Sequence, residues 1–178
     1  MKSLTLILGG ARSGKSNKGL KLAFAYENVL FVATAQAWDD EMRHRIDVHK
    51  TERPEHWGTL EAPQNVADAL AQSTYPAECI LLDDMTLLAS NVILALGDDV
   101  DTPAAEKAVL AETERLLEQL QTLDADVIIV SNEVGLGIVP ATKLGRVYRD
   151  ALGRANQKLA QAADSVLFMV SGLPMVVK

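Results

Sequence analysis

Residues 9–16 read Gly9-Gly10-Ala11-Arg12-Ser13-Gly14-Lys15-Ser16 and follow directly on the apolar run Leu4-Thr5-Leu6-Ile7-Leu8. The spacing is G-x-x-x-x-G-K-[ST], set where its physics requires, between a buried strand and a helix. Such a loop curls so that successive backbone N–H groups point at phosphate oxygens, a shape that glycine permits and other residues resist. A helix beginning near Lys15 adds the positive end of its dipole. In this pattern the Lys15 ammonium reaches the β and γ phosphates and the Ser16 hydroxyl ligates Mg²⁺. The chain is therefore expected to bind a nucleoside triphosphate.

Strand-like runs follow at residues 29–34, 79–82 and 127–131, each short, apolar and without clear alternation. That is the pattern of strands covered on both faces. Weaker runs at 165–170 and 175–177 are expected to pair across Gly172-Leu173-Pro174. Helical patterns occupy 15–26, 39–50, 63–71, 86–96, 103–123 and 142–162. Strand and helix alternate, which predicts an α/β fold: a mostly parallel sheet, helices on both faces and the C-terminal strands at the edge. The 178 residues suit one domain, spanning 1–178. Residues 97–103 form an acidic connector, with Asp101 or Thr102 capping the next helix. The connector lacks the ligand spacing of a calcium loop.

A formal charge of −7 argues against nucleic acid as a partner, because neutralising its phosphates needs a basic surface. Cys79 is the single cysteine, so no intramolecular disulfide can form. No run is long and apolar enough to span a bilayer, and no signal-peptide pattern precedes Leu4. These features predict a cytoplasmic protein.

Three further segments carry chemistry. Asp83 ends the run Cys79-Ile80-Leu81-Leu82, where phosphate-loop proteins place a carboxylate for Mg²⁺; Asp84 competes with it for that role or for a helix cap. In residues 39–57, Met42, Ile46 and His49 recur at spacings of four and three, so His49 shares the apolar face, with Arg45, Lys50 and Arg53 around it. The cations would lower the imidazole pKa and keep the ring neutral, as a nucleophile at phosphorus requires. A helix-end cation or a core histidine would give the same pattern. A three-histidine metal site with His44 and His56 fits less well, since spacings of five and seven do not share a face. The third segment, Ser131-Asn132-Glu133-Val134-Gly135-Leu136-Gly137-Ile138-Val139-Pro140, begins at the carboxyl end of a strand, where ligands bind in open α/β sheets. It carries more apolar residues than a plain connector needs, and is expected to face substrate with Asn132 and Glu133 as polar contacts.

These residues together resemble the bifunctional adenosylcobinamide kinase/adenosylcobinamide-phosphate guanylyltransferases. The resemblance rests on the 9–16 loop, Ala33-Thr34-Ala35, Asp39-Asp40-Glu41-Met42, Arg45-Ile46, His49-Lys50, Arg53-Pro54, Trp57, Glu61 and the 131–140 segment. Arg154-Ala155-Asn156-Gln157 and Val170-Ser171-Gly172 extend it to the C-terminus. It implies a RecA-like phosphate-loop fold and two reactions: phosphoryl transfer from ATP or GTP to adenosylcobinamide, then guanylyl transfer from GTP to that phosphate. It implies a covalent guanylyl group on His49. Nucleotide contacts are implied at Gly9 to Ser16, at Ala33, Thr34 and Ala35, at Lys50, Thr51, Glu52 and Arg53, and at Glu61 and Asp83. Ser16 and Asp83 would hold the metal, Lys15 would act in catalysis, and the assembly would be a homo-oligomer, in form a trimer. Some relatives carry two adjacent histidines where this chain has Val48-His49, which leaves His49 as the matching nucleophile. A plain small-molecule kinase and a nucleotide-driven switch or assembly ATPase are the rival readings.

Overall fold

The computed structural model describes residues 1–36, 40, 51, 53–97 and 100–178. Among them run seven strands: β1 (Leu4–Gly9), β2 (Val29–Ala33), β3 (Gly58–Glu61), β4 (Cys79–Asp83), β5 (Asp126–Val130), β6 (Ser165–Val170) and β7 (Leu173–Val176). The helices are α1 (Lys15–Ala23), α2 (Val66–Gln72), α3 (Met85–Leu94), α4 (Thr102–Gln121) and α5 (Lys143–Ala162). The strands form one sheet in the order β3-β2-β4-β5-β1-β6-β7. Pairings among β1 to β6 are parallel, and β7 returns antiparallel to β6.

The unbroken apolar runs have a simple cause: alternate side chains enter two different cores. Leu6, Val32, Ile80, Leu82 and Ile129 face α2, α4 and α5, meeting Leu70, Leu116, Leu120 and Leu159. Their sequence neighbours Ile7, Phe31, Leu81, Ile128 and Val130 face Leu20 and Ala23 of α1 and the ring of Trp57. A third cluster, with Ile93, Val109, Val147 and Leu152, joins α3, α4 and α5 to one another. Helices thus cover both faces, as the alternation predicts. No described helix is long and apolar enough to cross a membrane.

Helix ends follow local chemistry. Asp84 caps α3 by accepting from Leu87 N–H at 2.8 Å, and Asp101 caps α4 by accepting from Ala104 N–H at 2.9 Å. The N–H of Val66, which opens α2, donates instead to the buried Glu112 carboxylate of α4 at 2.9 Å. That long-range partner sets the start of α2 three residues later than the sequence pattern suggests.

Two further differences from the expectations are physical. Strand β3 has no counterpart in the apolar pattern, because it sits at the sheet edge and half of its four residues are exposed. The C-terminal turn is tighter than expected: Val170 pairs with Leu173, so only Ser171 and Gly172 lie between the strands. The helix expected at 39–50 lies outside the described residues, apart from Asp40.

Gly19 shows why α1 tolerates glycine. A Cβ there would lie 3.1 Å from Leu81 Cδ1 and 3.2 Å from Val130 Cγ2, so the helix rests on the sheet through a bare backbone. Gly19→Val should destabilise the protein by about 1–3 kcal/mol through overpacking. Urea unfolding measures this, and an unchanged midpoint would show that the helix shifts freely on the sheet.

Candidate functional site

The first loop leaves β1 and enters α1 through two backbone positions that a side chain would disturb. A Cβ at Gly9 would meet Met169 O and Ser13 Oγ, both at 2.7 Å. Gly14 stands at φ 92°, ψ 15° as the N-cap of α1, in the left-handed region where glycine carries no steric cost. The loop is thus wedged between its own Ser13 and the neighbouring β6, and the turn after β6 adds Gly172 N–H donating to Ser13 O at 3.0 Å. The Ser13 hydroxyl is buried and has no hydrogen-bond partner among the described residues. An unsatisfied buried donor inside the curl is what an incoming phosphate oxygen would satisfy.

Lys15 is only 7% exposed, and its ammonium donates to Gly10 O at 2.7 Å. Burial lowers its pKa from the usual lysine value, while the charges of Asp84 and Asp83 pull the other way. The Ser16 hydroxyl donates to Asp83 Oδ1 at 3.3 Å. Two hard oxygens from separate elements therefore meet beside the loop. This donor set fits Mg²⁺, which takes one or two protein oxygens and completes its shell with phosphate and water. Of the two aspartates, Asp83 faces Ser16, and Asp84 spends its carboxylate on the α3 cap.

Asp84 is held from a second side. Thr34, fully buried at the end of β2, accepts from Asp84 N–H at 3.0 Å and donates its hydroxyl to Asp84 O at 2.7 Å. The Asn91 side-chain amide of α3 donates to Thr34 O at 2.9 Å and to Pro63 O at 3.0 Å. Thr34 is therefore a brace between the ends of β2 and β4, and Asn91 extends the brace to the chain leaving β3. The apolar surroundings of Asn91 in the sequence run 85–94 are the signal that marks it, since a buried polar group must be partnered.

The other expected contacts spread along the same carboxyl edge. Ala33 pairs in register with Asp83 on one side and with Glu61 on the other. Because β5 and β4 lie between β1 and β2, Ala33 sits three strand spacings from the first loop, about 14 Å. Arg53 stacks its guanidinium 3.3 Å above the Phe31 ring, and Trp57 lies with its ring centroid 5.2 Å from that of Phe24. Both contacts fall on the sheet face that carries α1. Thr51 is exposed. His49, Lys50 and Glu52 lie outside the described residues.

The 131–140 segment, which continues from β5 between β4 and β1, is anchored at its base. Ser131 Oγ donates to Asn156 Oδ1 at 2.7 Å, and the Asn156 amide donates to Asn132 O at 2.9 Å. Asn132 N–H donates to Thr86 Oγ1 at 2.9 Å, and Glu133 N–H donates to Gly9 O at 3.0 Å. The last bond ties this segment to the phosphate-type loop. Asn156 interrupts the apolar stripe Leu152, Ala155 and Leu159 of α5, the same kind of signal as Asn91. Beyond the base, Leu136, Ile138 and Val139 are 80%, 97% and 62% exposed.

Comparison with known proteins agrees with this geometry. The family model described as "Cobinamide kinase / cobinamide phosphate guanyltransferase" matches residues 5–177. The chain is 41% identical over 180 aligned positions to the bifunctional adenosylcobalamin biosynthesis protein CobU of Escherichia coli K12, covering 98% of this chain and 99% of that protein. It is 44% identical over 174 positions to the bifunctional adenosylcobalamin biosynthesis protein CobP of Pseudomonas aeruginosa, covering 97% and 96%. Among solved structures it is similar to the RadB recombinase, with a TM-score of 0.51 and 14% identity over 93% of this chain and 73% of that one. That likeness shows the RecA-like fold.

Burial, with the Asp83 charge second, pushes the Asp84 carboxyl up from 3.8 to about 7. The folded chain then holds this proton more tightly than the unfolded chain. Its contribution favours folding below the unfolded value and is lost as pH rises towards the folded one, by up to about 1.4 kcal/mol per pH unit within the window. Asp84→Asn keeps an acceptor for the α3 cap and removes the charge. Urea unfolding in EDTA at about pH 5 and about pH 8 should show a smaller loss of stability for the variant than for the wild type; equal losses would remove Asp84 as the source.

Proposed function

This chain belongs to the cobinamide kinase / cobinamide phosphate guanyltransferase family, and from that premise we propose that it carries both reactions at the carboxyl edge of its sheet. The observation that carries this reading is the buried Lys15 ammonium beside the Ser16–Asp83 pair, at the end of a strand and the start of a helix. In the kinase step the triphosphate of ATP or GTP lies in the curl of residues 9–16. The loop amides and Lys15 offset the charge on the transferring γ-phosphoryl group, and the acceptor is the hydroxyl of adenosylcobinamide. Ser16 and Asp83 are the residues that would hold Mg²⁺, which supplies charge neutralisation to the phosphates when bound.

In the guanylyl step a ring nitrogen of His49 bonds to the α-phosphorus of GTP as the bridging bond to the β-phosphate breaks and pyrophosphate leaves. A phosphate oxygen of the acceptor then bonds to that phosphorus as the nitrogen–phosphorus bond breaks, giving adenosylcobinamide-GDP. A covalent intermediate replaces one difficult displacement with two easier ones. His49 stands four residues before Arg53 in the chain, and Arg53 is seated on Phe31, on the sheet face that carries α1. Ala33, Thr51, Arg53 and Glu61 are assigned to nucleotide contacts by the family resemblance, together with Lys50 and Glu52. We take the working form to be a cytoplasmic homo-oligomer, a trimer.

Incubation with GTP should add one guanylyl group to the intact protein, read by mass spectrometry, and none to His49→Ala. An adduct that survives this substitution removes His49 from the role; a wild type that phosphorylates adenosylcobinamide without ever forming an adduct supports a plain kinase. Lys15→Ala should lower both activities by about 10²- to 10³-fold, the cost of losing one oriented charge at a transferring phosphate. Undiminished activity of either kind would separate that reaction from this loop.

A further inference from the structure

The 131–140 segment presents apolar side chains to solvent beside a polar cleft, and both adjoin the phosphate loop. The cleft, about 610 Å³, is lined by residues of α4 and α5 together with Leu8 and Glu133. Leu8 immediately precedes Gly9, and Glu133 N–H donates to Gly9 O at 3.0 Å, so the cleft opens beside the site of phosphoryl transfer. Its ionisable lining is mixed: Glu106, Glu133 and Asp150 against Arg149 and Arg154, with Gln157 between them in character. Arg149 and Asp150 pair with each other at 2.9 Å. Three carboxylates against two guanidiniums leave no positive excess, so the cleft is a poor seat for a second triphosphate. It offers hydrogen-bond donors and acceptors together, which is what a neutral primary amide requires.

The neighbouring apolar residues are held out by design of the backbone. The base of the segment is fixed by the Ser131–Asn156–Asn132 bonds, and its far end by Arg146 donating to Pro140 O at 2.9 Å and Ala141 O at 2.8 Å. Between these anchors Leu136, Ile138 and Val139 have no core to enter. Three exposed apolar side chains within four residues, on a segment braced at both ends, point to a binding surface.

We propose that this platform and cleft seat the corrinoid: the apolar face of the macrocycle lies on Leu136, Ile138 and Val139, and its peripheral amides enter the cleft lined by Gln157, Arg154 and Glu106. The assignment rests on the proposed cobinamide kinase activity and names the acceptor half of that site. The dimensions agree with it, since a cleft of this size takes a small-ligand-sized portion and cannot enclose a macrocycle with amide arms. The ring must therefore lie outside, where the apolar residues are. The charge balance agrees as well, because the corrinoid presents neutral amides to a lining that is itself nearly balanced.

The double variant Leu136→Ser/Ile138→Ser alters only exposed side chains, and Gln157→Ala probes the cleft independently. Steady-state kinase assays should show KM for adenosylcobinamide raised about tenfold or more by the double variant, the expected loss for apolar burial of two side chains. Gln157→Ala should raise the same KM, and neither variant should change KM for the triphosphate. Sedimentation velocity should give wild-type mass for both. An unchanged KM for adenosylcobinamide overturns the assignment. A changed mass with that KM intact does so too, by giving the platform to a second copy of the chain; an equal rise in KM for the triphosphate gives the cleft to a nucleotide. If the wild type itself phosphorylates no cobinamide, the kinase reading fails first and this site falls with it.

Discussion

A lysine ammonium buried to 7% exposure is costly unless its surroundings offset the charge, and the carboxyl edge of this sheet is arranged around that requirement. The Gly10 carbonyl lies 2.7 Å from Lys15 Nζ, and the carboxylates of Asp83 and Asp84 oppose the effect of burial. The same pair of carboxylates cannot both stay charged at little cost, and burial, with the Asp83 charge second, pushes the Asp84 carboxyl up. The two neighbours thereby acquire different tasks. Asp83 keeps its oxygen turned to Ser16, while Asp84 serves as a cap and is clamped by Thr34.

Parallel strands bring this economy into one place. Every parallel strand ends at the same edge, so the loops after β1, β2, β4 and β5 are neighbours in space although far apart in the chain. Hydrogen bonds stitch them into one rim: Thr34 to Asp84, Asn91 to Thr34, Asn132 to Thr86, and Glu133 to Gly9. The rim has two flanks. One leads from Asp83 through Ala33 to Glu61, and is where the resemblance sets the nucleotide contacts. The other leads from Gly9 through Glu133 to the exposed apolar residues of the 131–140 segment, which continues from β5.

Much of the architecture was legible in the residues. While β6, with only Val166 and Met169 buried, reads more weakly, the strands β1, β2, β4 and β5 announce themselves as apolar runs because burial on both faces removes the need for polar alternation. β3 did not, since an edge strand with half its residues exposed has no distinctive pattern. The start of α2 was misplaced because its first N–H is answered by Glu112, 46 positions away, and no local rule sees such a partner. In the site, the 9–16 loop was readable from its spacing alone. Asn91 and Asn156 were legible only as polar residues in apolar surroundings; Asn91 donates to the Thr34 and Pro63 carbonyls, and Asn156 meets the Ser131 hydroxyl and the Asn132 carbonyl, partners that sequence does not distinguish.

The sequence by itself determined that a phosphate-binding curl follows β1, because its glycines, lysine and serine are contiguous and their backbone needs are local. It likewise carried the alternation of strand and helix, which follows from the period of apolar residues. Only the tertiary structure decided which aspartate faces Ser16, because that depends on the direction in which β4 ends relative to α1. It also decided that Leu136, Ile138 and Val139 remain in solvent: apolar residues enter a core only where other elements leave room, and here anchors at both ends of the segment hold them outside it.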